Sequence, residues 1–344
     1  MKTGCYTALI TPFNSDGELD SQGLDQLLEF QITNGITGIL AVGTTGESPT
    51  LQWKEHNEIV ATVAKKTKEK CICIAGAGSN NTSEALEAVE NAAANGAEAV
   101  LLVDPYYNGP SSLEIRREYY EPVAEKFPGT EIIPYIIPGR TGAQMLPEDL
   151  AILAQKHKNV AAVKEATGSL ENMKRTRECC GRDFTIMSGD DGLVFKIMSD
   201  PAIKASGGIS VMSNIAPGAM TELVMLLNQG RTKEAEALNN ALSPLLGLVT
   251  VTTEEITPFG RIPCRARNPI ALKTLMQILG LPSGGCRRPV GRMTKSGLEI
   301  VVAAAKKVQN SNPEIFSPLA DFFNIDVDER LENPDYRKDL WYDY

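Results

Sequence analysis

Short apolar runs of strand length alternate along this chain with longer stretches whose apolar residues recur at helical spacing. The short runs fall at about 5–10, 39–42, 71–75, 99–103, 132–137, 160–164, 184–187 and 203–210. Between them the spacing predicts helices over 20–33, from beyond the 43–48 loop to about 67, over 82–94, mostly over 111–127, and onward from 147 and from 190. Asp20 and Thr82 are positioned as N-caps, and Pro147 stands in a first turn, where its missing N–H costs nothing. In the first helix Leu24, Leu27, Leu28 and Ile32 share one face.

A strand-then-helix unit repeated about eight times calls for a parallel sheet. Eight units in 1–215 fit a closed (β/α)8 TIM barrel of the α/β class better than an open doubly wound sheet. No Gly-x-Gly-x-x-Gly follows the first strand, which disfavours the open alternative. From about Ala216 the strands stop, and helical patterns at 217–229, 232–249, 268–280 and 294–309 predict a C-terminal helical region over 216–309. The remainder, 310–344, is an acidic and aromatic C-terminal extension. It carries nine acids against three bases, the apolar group Phe316, Leu319, Phe322, Phe323 and Ile325, and Trp341, Tyr342 and Tyr344. Two readings stay open for it: an appendage packed on the body or on a second subunit, and a partly disordered tail. Asn324-x-Asp326-x-Asp328 hints at a calcium loop, but Glu329 stands where that loop needs glycine.

The barrel expectation gives the polar residues a place, since active sites of such barrels lie at the C-terminal ends of the strands. Gly43-Thr44-Thr45-Gly46-Glu47-Ser48 follows the second strand, and Asp104-Pro105-Tyr106-Tyr107-Asn108 follows the fourth. The fifth carries Tyr135 and leads to Pro138-Gly139-Arg140-Thr141-Gly142. The sixth ends in Lys164, and Ser188-Gly189-Asp190-Asp191 follows the seventh. A lysine closing a buried strand loses hydration, which favours a neutral, nucleophilic amine able to form a Schiff base. Alone, Lys164 reads more readily as a side chain that snorkels to water or pairs with an acid. Tyr135 alone reads as a core tyrosine, Arg140 as a surface charge and Asp190 as a helix cap. Together these residues supply an amine nucleophile, a phenol for proton transfer, hydroxyl and backbone donors for a carboxylate, and a guanidinium for a second anion.

Composition narrows the alternatives. The chain has 344 residues, 42% hydrophobic and 22% charged, enough for a large core. A net charge of -9 without a basic run argues against a nucleic-acid role. No apolar stretch is long enough for a transmembrane helix, and Met1 to Cys5 runs directly into a strand-like segment, so neither membrane insertion nor a secretory leader is expected. Seven scattered cysteines point to reduced thiols and a cytoplasmic location. With only His56 and His157 and no zinc spacing, no metal site is expected.

The strand-end motifs, with Val163-Lys164-Glu165-Ala166-Thr167-Gly168, resemble the signatures of dihydrodipicolinate synthases, within the pyruvate-dependent class I aldolase superfamily that includes N-acetylneuraminate lyase. The resemblance spans about 3–309. It implies that Lys164 forms an imine with pyruvate, that Thr44 and Thr45 hold the pyruvate carboxylate, and that Gly189 and the Ile209 carbonyl line the pocket. Tyr135, Thr44 and a Tyr107 from a neighbouring subunit would form a proton relay, and Arg140 would receive the carboxylate of L-aspartate 4-semialdehyde. The implied product is 4-hydroxy-tetrahydrodipicolinate, on the way to lysine and diaminopimelate, with no cofactor beyond the covalent imine. The resemblance also implies a homotetramer built as a dimer of dimers, and an L-lysine inhibitor site at Ser48, Trp53, His56, Asn80, Glu84 and Tyr106.

Three features depart from the family pattern. Ile136 and Gly139 stand where asparagine and serine are common, an insertion at 252–266 lengthens what reads as the helical region, and the extension beyond 310 has no counterpart. Two alternatives therefore stay open: a lyase for a 2-keto-3-deoxy sugar acid or sialic acid, and a catalytically silent barrel that binds a keto acid or, through its tail, a protein partner. Arg140 separates the first from the synthase, because a guanidinium there suits a short carboxylated aldehyde. The joint presence of Lys164, Tyr135, Thr44 and Tyr107 argues against the second.

Overall fold

In the computed structural model, which describes residues 1–342, eight parallel strands close in sequence order into a barrel. They are β1 (Gly4–Ala8), β2 (Gly38–Ala41), β3 (Ile72–Gly76), β4 (Ala99–Val103), β5 (Glu131–Ile136), β6 (Ala162–Glu165), β7 (Thr185–Ser188) and β8 (Gly207–Ser210). The first and last are joined in register from Gly4 opposite Gly207 to Thr7 opposite Ser210. Glycine is required at that seam. Gly207 has φ +137°, and a Cβ there would stand 1.9 Å from the Gly4 carbonyl oxygen.

The strands read as continuous apolar runs because both faces are covered. Inward-facing Tyr6, Leu40, Ile74, Leu101, Ile133 and Met187 fill the barrel, while the outward set packs against the helical ring. Helix α1 (Ser21–Thr33) shows how the pattern acts. Asp20 caps it by accepting from Gly23 N at 2.8 Å, and Leu24, Leu27 and Leu28 are buried against the barrel. Helices α2 (Trp53–Thr67) and α3 (Thr82–Ala94) follow β2 and β3 in the same way.

Three expectations are corrected. The eighth strand begins at Gly207 rather than Ile203, because Lys204, at φ +48°, turns the chain just before it. The helix expected over 232–249 ends at Leu246 and continues only as a 3-10 turn, Gly247–Val249. The insertion at 252–266 does not extend the helical region. It forms an antiparallel hairpin of β9 (Thr250–Thr257) and β10 (Gly260–Arg267), in register from Thr257 opposite Gly260 to Thr250 opposite Arg267. Strands therefore do not stop at Ala216.

The extension packs on the chain's own body. Phe316, Leu319, Val327 and Leu331 are buried, and the Phe322 and Phe323 rings lie 5.3 and 5.2 Å from Phe30 of α1. Arg330 donates to the Ile278 and Gln277 carbonyls that end the helix Ile270–Leu279, satisfying acceptors left open there. Met293–Thr294 pairs in parallel with Trp341–Tyr342. Tyr344 of the expected aromatic group lies outside the described residues. Among the described residues no helix is long and apolar enough to cross a membrane.

Candidate active site

Lys164 is buried in β6 opposite Tyr135 of β5, and its Nζ lies 4.3 Å from the centre of the Tyr135 ring. Burial pulls the amine down to about 7. Asp191 opposes that shift and Arg140 adds to it. A lysine at that value is largely a free base slightly above neutral pH. Gly189 belongs to the same arrangement. A Cβ there would stand 2.7 Å from the Ala166 Cβ and 3.2 Å from the Lys164 Cε, so glycine leaves the lysine its space.

Asp191 is buried behind the lysine. One carboxylate oxygen accepts from Val211 N and Met212 N at 2.9 Å each, and the other has no hydrogen-bond partner. Burial raises its pKa, and these donors with Ser210 oppose the rise. Glu165, the next residue of β6, is also buried and held up in pKa by desolvation. It accepts from Thr167 N and Asn172 Nδ2, which fixes the turn leaving the strand.

Tyr135 is buried, and it lines one cavity together with Thr44. Burial raises its pKa, while Arg140 and Thr44 lower it. Thr45 is buried next to it, and its Oγ accepts from Asn268 Nδ2 at 2.9 Å. That bond occupies the hydroxyl as an acceptor and leaves its proton to be donated elsewhere. Arg140 stands exposed at the mouth and donates to the Asn268 carbonyl at 3.0 Å. Ile209 of β8 lines the barrel interior. Tyr107 stands apart from this group, 91% exposed at φ +78°.

The Thr44–Thr45 loop is braced from below. Glu47, at φ +57°, is fully buried and accepts from Lys273 Nζ at 2.7 Å and from Arg287 N at 2.8 Å. Lys273 also donates to the carbonyls of Thr11 and Gly285. Sequence reasoning missed Lys273 and Asn268. The signal for Lys273 was present, a lysine within the apolar run Ile270–Leu279, but Asn268 had none beyond its position before a proline.

Ser48, Trp53, His56, Glu84 and Tyr106 converge on a cavity of about 220 Å³ whose inner wall includes Thr44 and Tyr135. Asn80 is adjacent, its side chain accepting from Tyr106 N at 2.8 Å. His56 Nε2 donates to the Gly76 carbonyl at 2.8 Å, and its burial lowers its pKa. One trio of possible metal ligands occurs among the described residues, Glu121, Glu125 and His157, but Lys156 already pairs with both carboxylates.

A closed eight-stranded barrel with a buried, partly neutral lysine at a strand end and a tyrosine facing it defines an aldolase-type barrel lyase. The model of the dihydrodipicolinate synthetase family matches residues 1–308. A 4-hydroxy-tetrahydrodipicolinate synthase of Syntrophus aciditrophicus is 38% identical over 299 residues, covering 87% of this chain and 96% of that protein. The solved structure of the 4-hydroxy-tetrahydrodipicolinate synthase from Methylacidiphilum fumariolicum SolV superposes with a TM-score of 0.82 at 34% identity, covering 92% of this chain and 98% of the other. The dihydrodipicolinate synthase of Cyanidioschyzon merolae, solved with lysine bound, superposes with a TM-score of 0.80 at 33% identity, covering 89% and 97%. This chain belongs to the dihydrodipicolinate synthetase family. It is a lyase, and the activity of its relatives is the one the strand-end motifs implied.

Proposed function

We propose that this protein makes 4-hydroxy-tetrahydrodipicolinate from pyruvate and L-aspartate 4-semialdehyde, with Lys164 as the nucleophile. The observation that carries the assignment is a buried amine at a strand end, 4.3 Å from the centre of the ring of a buried tyrosine that shares a cavity wall with Thr44. The free amine adds to the pyruvate ketone, and loss of water leaves a protonated imine. Tyr135 moves the proton at the carbinolamine stage, exchanging it with Thr44 and with Tyr107 of a neighbouring subunit. The exposure of Tyr107 at a positive φ suits a side chain presented outward. Thr45, its oxygen engaged by Asn268, donates to the pyruvate carboxylate. Loss of a methyl proton gives the enamine, whose carbon attacks the aldehyde. The substrate's own amine then attacks the imine carbon, closing the ring and releasing Lys164. The protonated imine is the electron sink, so this sequence of steps calls for no metal or other cofactor.

Arg140 receives the acceptor carboxylate, which favours the synthase over a sugar-acid or sialic-acid lyase. The shared tyrosine calls for at least a dimer, and the family pattern for a tetramer of two dimers, working in the cytoplasm. The cavity at Ser48, Trp53, His56, Asn80, Glu84 and Tyr106 suits L-lysine as a feedback inhibitor. Its shared wall with Thr44 and Tyr135 gives the inhibitor a direct route to the proton relay.

The test is condensation of pyruvate with L-aspartate 4-semialdehyde, coupled to a downstream reductase, with Lys164→Ala as control. Turnover lost in the variant is expected. Absence of turnover from folded wild type, with borohydride still trapping pyruvate, would point to another acceptor. Absence of trapping would point to a silent barrel.

A further inference from the structure

The hairpin that sequence reading took for extra helix reaches the barrel mouth. Thr250, Arg265 and Arg267 line a cavity of about 230 Å³ together with Arg140, Gly189 and Asp190. Two hydrogen bonds cross between the hairpin end and the loop after β5. Arg267 Nη1 donates to the Gly139 carbonyl at 3.0 Å, and Arg140 Nη2 donates to the Asn268 carbonyl at 3.0 Å. Each guanidinium thus spends one donor on the other segment's backbone and keeps others for a ligand.

Charge in this cavity is unbalanced. Among the described residues, the ion pairs include none for Arg140, Arg265 or Arg267. Asp190 is the one acid in the lining, and its carboxylate accepts from Gly192 N at 2.9 Å. Burial destabilises the charge on Arg140, Tyr135 opposes that shift, and Arg267 adds to it. Three guanidinia facing a single carboxylate leave positive charge uncompensated, and an anion bound among them relieves that cost. Gly189, which abuts Lys164, forms part of the same wall, so an anion held here lies beside the reactive amine.

We propose that Arg265 and Arg267 of the hairpin complete, with Arg140, the site for the acceptor's carboxylate, making the hairpin a determinant of acceptor selectivity. The identity of the acceptor rests on the function proposed above. Arg265 is exposed, so its removal tests recognition with little risk to folding. Arg267 also positions the Gly139 loop, so Arg267→Lys, which keeps the charge but not the planar fork, accompanies Arg267→Met.

The experiment measures KM for each substrate separately in wild type, Arg265→Met, Arg267→Met and Arg267→Lys. It also titrates succinate semialdehyde calorimetrically onto the full-length, pyruvate-loaded enzyme. Loss of a charge-assisted contact is expected to raise acceptor KM by about tenfold in each methionine variant and to weaken the titrated affinity similarly. Arg267→Lys should fall between, with the pyruvate KM moving less than twofold, within about 0.4 kcal/mol. Acceptor KM and titrated affinity within twofold of wild type in both methionine variants would overturn the inference. If wild type fails to turn over aspartate semialdehyde, the proposed function falls, while the titration still decides whether the hairpin arginines bind a carboxylated aldehyde.

Discussion

Tyr135 and Lys164 are paired in register across neighbouring strands, with the lysine Nζ 4.3 Å from the centre of the phenol ring. The ring face attracts a cation, but far less than water does, and burial holds the amine down to about 7. The reactive form is the free base. The pH profile of kcat/KM for pyruvate should therefore rise through about 7 and level above it. Lys164→Ala should lose the borohydride-trapped pyruvate adduct, with turnover down at least about 10³-fold. The same shift has a stability consequence. The unfolded lysine binds a proton that the native one gives up, so stability linked to this group rises with pH from about 7 towards its ordinary value of 10.5. Lys164→Met should be more stable than wild type at neutral pH, with the gain shrinking by pH 10 or so. Urea unfolding across that range checks it, and a pH-independent difference would count against a depressed lysine.

Asp191 tunes the same amine from behind. Its charge holds the lysine pKa up against burial. Asp191→Asn removes that charge while keeping an oxygen for Val211 N and Met212 N. The inflection in the pyruvate kcat/KM profile should move to lower pH, by about one unit. An unmoved inflection would mean that the two groups do not sense each other.

Tyr135→Phe keeps the ring under Lys164 and removes only the hydroxyl. A proton-transfer role predicts a fall of about 10²- to 10⁴-fold in kcat. Pyruvate should still be trapped by borohydride, more slowly. If kcat stays within a few-fold of wild type, the tyrosine is a packing residue, and the proton must move by water.

Much of this was legible in the sequence, for identifiable reasons. Eight apolar runs report a sheet covered on both faces, and a lysine ending such a run is conspicuous because burial of an amine is costly. The hairpin was misread although part of its signal was there: a β-branched run, Thr250 to Thr257, ending at the turn residues Pro258-Phe259-Gly260. Pro263 obscured it, since proline argues against a central strand, yet in a two-stranded hairpin every strand is an edge and tolerates it. Asn268 was beyond reach of local patterns. Its partner Thr45 lies 223 residues away, and only barrel closure brings them together.

Glu84 supplies the strongest test of the inhibitor cavity. Its carboxylate accepts from Ser79 Oγ at 2.5 Å and faces the space lined by Trp53, His56 and Tyr106. A bound L-lysine would place an ammonium against it. Activity should fall as lysine is raised into the millimolar range, and Glu84→Gln should raise the half-inhibitory concentration by about tenfold. A flat wild-type response would remove the regulatory reading and leave these residues as interface or surface groups.

Glu47 and Lys273 form a fully buried ion pair beneath the Thr44–Thr45 loop, and the ammonium has all three donors engaged, to Glu47, Thr11 and Gly285. Desolvation lowers the lysine pKa and the glutamate opposes it. Such a pair adds little net stability over apolar packing, but removal of one partner strands the other. Lys273→Met should leave the Glu47 carboxylate with only the Arg287 amide as donor, and should cost about 3–5 kcal/mol by urea unfolding. Glu47→Gln combined with Lys273→Met should recover part of that loss, because no uncompensated charge then remains buried. The pyruvate KM should rise in the single variant, since Glu47 fixes the turn that carries Thr44 and Thr45. A single variant as stable as wild type, within about 0.5 kcal/mol, would show that water reaches the carboxylate and that the pair does not brace the loop.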